Sequence, residues 1–150
     1  MRDIKFRGKI NEKGIDNSWI EGSLVHITKT YKGEEDEQEC DIYQIINEDG
    51  VGFFIDKETI GQYTGLHDKN GKEIYEGDII DFSYDMFVGS FNTYVAKGIV
   101  IFEEGAFYVQ CLENENMTKD ESYLLYTINI DTIEIIGNIW ENGDLLNDSK

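Results

Sequence analysis

The chain has no proline, only two cysteines and only two histidines in 150 residues. Without proline, no residue lacks a backbone N–H, a composition consistent with dense strand pairing. Cys40 and Cys111 are far apart, and neither sits in a Cys-x-x-Cys pair. The spacing of a redox or zinc site is therefore missing, and two free thiols in a reducing compartment are expected. His26 and His67 belong to no motif that supplies an orienting partner, so both read as surface or packing residues rather than acid–base groups. No serine lies in a nucleophile-elbow context. The glycine-rich words precede strands rather than helices, which removes a phosphate loop. Carboxylates are so abundant that no glycosidase-like pair stands out. The chain is thus expected not to be an enzyme and to carry no cofactor or metal.

Basic residues are also scarce. Thirteen Lys and Arg stand against 31 Asp and Glu, for a net charge of −18. Such a field disfavours direct binding to nucleic-acid backbones, which calls for basic grooves. Arg2, Lys5, Arg7 and Lys9 form the one concentrated basic group. The excess of acid serves solubility through self-repulsion or attraction to a basic partner surface. No apolar run is long enough to span a bilayer, and the N-terminus is charged from Arg2 onward. No membrane association is expected, and a cytoplasmic location follows.

What is present is strand chemistry. Nine tyrosines and eight phenylalanines favour strands, and 40% hydrophobic residues are enough for a globular core. Ile4, Phe6 and Ile10 alternate with charged residues, the period of a half-buried strand. Trp19 to Ile27 reads as a second strand, with Gly22 as a candidate bulge. Ile42–Ile46 and Val51–Ile55 flank Asn47-Glu48-Asp49-Gly50 and predict a hairpin, after which Asp56 caps a short helical turn. Asp68-Lys69-Asn70-Gly71 predicts a second hairpin turn. A calcium loop would need further oxygen ligands that this segment lacks. Strands are expected over residues 74–84, 94–103, 106–112, 123–128 and 133–140. Glu103-Glu104-Gly105 forms a tight turn, Met86 to Thr93 a connector with exposed aromatics at Phe87 and Phe91, and Asp144 to Asn147 a last helical turn. The acidic run Glu34, Glu35, Asp36, Glu37 and Glu39 predicts a solvated loop. Ile60-Gly61-Gln62 echoes Ile136-Gly137-Asn138, a pattern that either duplication or chance produces.

Several words of the chain occur in a recognisable order. They are Arg2 to Lys9, Trp19 to Val25, Gly61 to Leu66 with Asp68 to Gly71, Glu76 to Ile80, Gly98 to Val100 with Gly105 to Tyr108, and Ile135 to Asn142. Together they resemble the YopX family of bacteriophage and prophage proteins. The resemblance covers nearly the whole chain, with Thr30–Cys40 and Asn114–Ser122 as insertions. It implies a phage-encoded accessory protein acting in the host cytoplasm, and carries no established biochemical activity.

The expected fold is mainly β with only short helical turns. An N-terminal β subdomain spans residues 1–72 with an acidic loop over 30–40. An SH3-like β-barrel, implied by the resemblance, spans residues 73–142, and a tail spans residues 143–150. Ile79 and Asp81 point to one face and Ile80 and Phe82 to the other, so this strand is expected to be buried on both sides. Tyr63, Tyr75, Phe107 and Trp140 are the candidate interaction residues, with core packing as the competing reading. The favoured function is a non-enzymatic module that binds itself, or a host or phage protein, because strand-rich chains must cover their edges. An acidic decoy that imitates DNA and a single-strand nucleic-acid binder are the alternatives.

Overall fold

The computed structural model describes residues 3–32, 37–87, 90–112 and 121–146. The chain divides into two compact units, Met1–Gln62 and Tyr63–Lys150; the sequence expectation put this division between residues 72 and 73. Both units are antiparallel β-structure, and the helical elements are short 3-10 turns.

The first unit contains β1 (Phe6–Lys9), β2 (Trp19–Lys32), β3 (Glu37–Ile46), β4 (Gly52–Phe54) and the first residues of β5 (Gly61–His67), paired in the order β4-β3-β2-β1-β5. Its apolar centre is Ile10, Ile45 and Ile55. Gly8 sits beneath it: a Cβ there would lie 3.0 Å from Ile55 Cδ1 and 3.4 Å from Ile45 Cδ1. On the opposite face of β1, the Trp19 ring lies under Arg7 and Lys9, at 5.0 and 5.5 Å from its centroid, a cation–π arrangement. The Asn47 side chain accepts N–H bonds from Asp49 (3.1 Å) and Val51 (2.9 Å), and Gly50 takes a φ of 78°. This is the hairpin turn that the local residues predict. Asp56 caps the 3-10 turn Lys57–Thr59 by accepting from Glu58 N. Gly22, read from sequence as a candidate bulge, ends the β1 ladder opposite Phe6, and the β3 ladder begins at Ser23. It stands where β2 leaves β1 for β3, and a Cβ there would lie 2.0 Å from the Ile46 carbonyl oxygen.

The second unit contains the rest of β5, then β6 (Glu73–Tyr75), β7 (Asp78–Phe87), β8 (Phe91–Glu103), β9 (Ala106–Cys111), β10 (Ser122–Leu124) and β11 (Glu134–Asn138). A five-stranded sheet runs in the order β10-β9-β8-β7-β11. Its core is Ile74, Ile80, Phe82, Ala96, Val100, Phe107, Val109, Cys111, Leu125 and Ile133. Ile79 and Ile80 are both fully buried, as two apolar faces on one strand require. Between β8 and β9, Glu104 (φ 49°) and Gly105 (φ 82°) form a two-residue turn with both φ positive, the geometry that matches strand twist. Among the described residues no pairing joins β10 to β11, so a closed barrel is not present in the strand pairing.

Several expectations change, and the 86–93 connector is largely taken up by β7, which runs to Phe87, and β8, which starts at Phe91. The strand expected at 123–128 stops at Leu124, and the chain enters 3-10 turns at Leu125–Thr127 and Ile130–Thr132. Thr127 and Thr132 hydroxyls donate to the carbonyls of Leu124 and Asn129, both at 2.7 Å, so local side-chain bonds compete with the sheet. Trp140 lies beyond β11 in a turn rather than at the end of a strand. Glu37 and Glu39, expected in a loop, open β3, where Lys32 faces Glu37 at 3.5 Å. Residues 34–36 of that acidic run, 113–120, 147–150 and part of the 86–93 connector fall outside the described residues. The two similar words differ in place, as Gly61 opens β5 and Gly137 lies near the end of β11.

Candidate interaction surfaces

The four aromatic residues singled out from sequence are placed in three settings. Tyr63 and Tyr75 meet, with ring centroids 5.4 Å apart, and both are buried. The Tyr75 hydroxyl donates to Glu73 Oε2 at 2.8 Å, and the Tyr63 hydroxyl lies 3.4 Å from the His67 ring nitrogen. Phe107 is a core residue with Phe102 at 4.9 Å. Trp140 is half-buried and lies over Gly77. Tyr63, Tyr75 and Phe107 therefore pack inward rather than offering a face to a partner.

The seat of Trp140 is built by its own neighbours. The Asn138 side chain accepts from Trp140 N and Glu141 N at 3.1 and 3.0 Å. Asn142 returns the bond, its side chain accepting from Asn138 N at 3.1 Å while its own N–H donates to the Asn138 carbonyl at 3.0 Å. A Cβ at Gly137 would lie 2.5 Å from Asn142 Oδ1, so the glycine makes room for this reciprocal turn. Ile139 N then bonds Gly77 O at 3.0 Å and brings the indole onto the glycine. The words Glu76-Gly77-Asp78 and Gly137 to Asn142, distant in sequence, form one packing unit.

The polar residues with chemical potential lie mostly on the β2–β3 ribbon. His26 stacks on Tyr43 at 4.5 Å, and its Nε2 lies 2.9 Å from Asp41 Oδ1. Thr28 Oγ1 donates to the same oxygen at 2.8 Å. The hydrogen bond with His26, then that from Thr28, holds the Asp41 carboxyl below its ordinary pKa. Cys40, next in sequence, points to the other face because side chains alternate along a strand. The Cys40 thiol thus does not face the His26–Asp41 pair.

The two thiols differ sharply. Cys40 is exposed and Cys111 is buried. Burial, then the nearby Glu121 carboxylate, pushes the Cys111 thiol up to about 11. Since the thiolate is the reactive form, an aromatic disulfide reagent at mildly alkaline pH is expected to titrate one thiol, Cys40, in the folded protein. The second should react only after denaturant is added. Rapid reaction of both in native buffer would contradict the buried placement of Cys111.

Several of the exposed apolar residues lie on two hairpins, and of these Phe91 already reads as exposed from sequence. In the first unit, β2 pairs with β1 only from Trp19 to Gly22, and β3 pairs with β4 only from Gln44 to Ile46. From His26 to Lys32 and from Glu37 to Asp41 the ribbon is exposed. Ile27 and Tyr31 on it are 39% and 55% exposed. In the second unit, Phe91 and Val95 of β8 are 82% and 68% exposed. Alternation puts them on one face with Thr93, whose hydroxyl donates to Asp85 at 2.7 Å. The first unit also has an open groove of about 600 Å³, lined among others by Asp3, Glu21, Glu48 and Asp49, with Trp19 and Ile46.

These features define a small, strongly acidic, antiparallel-β protein of two units with exposed hairpin ribbons. The model of the YopX family, described as YopX protein, matches residues 5–147, and the chain belongs to that family. Among solved structures it is similar to the crystal structure of protein EF1440 from Enterococcus faecalis. That chain is 21% identical, the alignment covers 97% of this chain and 99% of that one, and the TM-score is 0.49. No curated protein matches. Among the described residues, no helix is long and apolar enough to cross a membrane.

Proposed function

We propose that this chain is a non-enzymatic accessory protein of phage or prophage origin that works through protein contacts, self-assembly first among them. The observation that carries this reading is the β2–β3 ribbon. Beyond its neighbours it is a two-stranded element with both faces and both outer edges in solvent. Such ribbons are marginal in water when alone, and unpaired edges invite strand pairing. A partner that covers the ribbon supplies the burial that the unit itself does not.

The second unit is read as an SH3-like barrel, a fold that recurs as a protein-contact module. Two features support this. A four-strand meander, β7 to β10, is followed by 3-10 turns and a last strand that returns to β7. Tyr123 of β10 also packs on Phe82 and Tyr84 of β7, with centroids 6.5 and 6.4 Å apart. Three strand spacings would separate β10 from β7 by about 14 Å in a flat sheet, so the sheet curls strongly.

Light scattering on the purified protein, from low to high micromolar concentration, tests the proposal. A defined multiple of the chain mass is expected. A strict monomer across the whole range would overturn self-assembly.

A further inference from the structure

We infer that a tyrosine patch on the second unit binds an arginine side chain carried on a segment of a basic partner protein. This rests on the protein-contact part of the proposed function and not on self-assembly. The patch lies where β9 leaves β8. β9 pairs with β8 from Gly98 to Glu103, whereas the β7–β8 ladder continues to Phe87 and Phe91. On the core-side face of that extension Tyr84 stands opposite Tyr94, next along the face from the buried pair Phe82 and Ala96. The Tyr84 ring stacks on Tyr94 at 5.7 Å and on Tyr123 of β10 at 6.4 Å, with interplanar angles of 27° and 28°. All three tyrosines are half-buried.

The hydroxyl of Tyr84 is the anomaly in this patch. It is buried and has no hydrogen-bond partner among the described residues. A buried hydroxyl without a partner costs stability, and native structures hold few such groups. A ligand that brings an acceptor would satisfy it. The backbone carbonyl of a bound segment is such an acceptor.

The electrostatics of the patch select the side chain. The Tyr123 hydroxyl donates to Glu121 Oε2 at 3.4 Å, which places that carboxylate beside the rings. Burial first, and then the Glu121 charge, holds the Tyr84 and Tyr123 hydroxyls above their ordinary pKa. The four strands β7 to β10 carry one basic residue, Lys97. Alternation places Lys97 on the face opposite Tyr94 and Ala96. The patch thus combines aromatic rings with a negative field. A guanidinium suits both, because it is planar, lies on aromatic faces and forks onto a carboxylate. A net charge of −18 attracts a basic protein and repels a second copy. The chain itself has only two arginines, so the segment is assigned to a different protein.

Fluorescence anisotropy with a labelled, capped peptide alternating glycine and arginine tests the site. The same peptide with citrulline or lysine in place of arginine is the comparison. Wild type is expected to prefer arginine to neutral citrulline by about tenfold. The preference over lysine should be about fivefold. Tyr84→Phe should weaken the arginine peptide about fivefold, the worth of one hydrogen bond. Its urea midpoint should stay at or above that of wild type, because the unpaired hydroxyl is gone. Glu121→Gln should abolish the preference for arginine over citrulline. Circular dichroism checks that both variants are folded. Equal affinity for the arginine and lysine peptides, or unchanged binding in the variants, would mean attraction to the acidic surface at large and would overturn the site. A lowered urea midpoint in Tyr84→Phe would mean that the hydroxyl is bonded within the fold, and also overturns it. A wild type that binds no peptide overturns the site and leaves self-assembly, which light scattering decides, untouched.

Discussion

Replacing Gly77 by alanine is expected to destabilise the second unit by about 4 kcal/mol, combining backbone strain with overpacking. Gly77 has a φ of 82°, a conformation that side chains resist. A Cβ there would also lie 2.2 Å from Trp140 Cη2 and 2.4 Å from Cζ3. The indole cannot withdraw easily, because the Asn138–Asn142 turn holds its backbone. The two causes can be separated by a double-mutant cycle. In a Trp140→Ala background the clash disappears, and Gly77→Ala should cost only the strain, about 1–2 kcal/mol. Urea midpoints of the four proteins measure the coupling. Additive effects would show that the ring and the glycine do not share a packing site.

The second large effect is expected at Asp68. This buried carboxylate accepts from Asn70 N at 2.8 Å and Lys72 N at 2.9 Å through Oδ1, and from Ile135 N at 3.2 Å through Oδ2. Lys69 N adds a bond to Ile133 O at 2.9 Å. The hairpin turn is thereby tied to the start of β11. Asp68→Ala leaves three backbone donors without this acceptor and is expected to cost about 3 kcal/mol or more. Asp68→Asn should be milder, about 1–2 kcal/mol, since one oxygen still serves the turn and only the Ile135 bond is lost. The other hairpin turn supports that expectation, because there Asn47 does the same work through a single oxygen.

Asp68 also makes a pH prediction. Burial alone would raise its pKa, but the N–H bonds from Lys72, Ile135 and Asn70 outweigh burial and lower it below the ordinary 3.8. A carboxylate with a depressed folded pKa contributes stability that is fully present above its unfolded value, near 4. That contribution is lost as pH falls through the folded value. Wild type should therefore lose more stability than Asp68→Asn when pH is taken below about 4. Equal acid sensitivity of the two proteins would show that the carboxylate carries no such linkage.

The turns were legible in the sequence because their chemistry is local. Asn47 to Gly50, Asp56, Asp68 to Gly71 and Glu103 to Gly105 each satisfy their bonds within a few residues. The alternation of β7 likewise foretold its two buried faces. The second oxygen of Asp68 was not legible, since its partner lies 67 residues away in sequence. The seat of Trp140 on Gly77 was hidden for the same reason. The aromatics at 63, 75 and 107 could be read as surface or core, because a ring has the same composition in either place. Phe91 already read as exposed, whereas Tyr31 and Val95 stand out only when exposure is known.

By itself the sequence determined the class of this protein. Period-two patterning, turn residues at fixed offsets and the ordered family words led to an antiparallel-β chain of the YopX family. These are short-range properties, set by φ preferences and side-chain alternation. Tertiary structure decided which aromatic residues are buried, where the two units divide and which hairpin stays uncovered. Those outcomes depend on packing between segments tens of residues apart, where burial and close approach, rather than local preference, set the free energy.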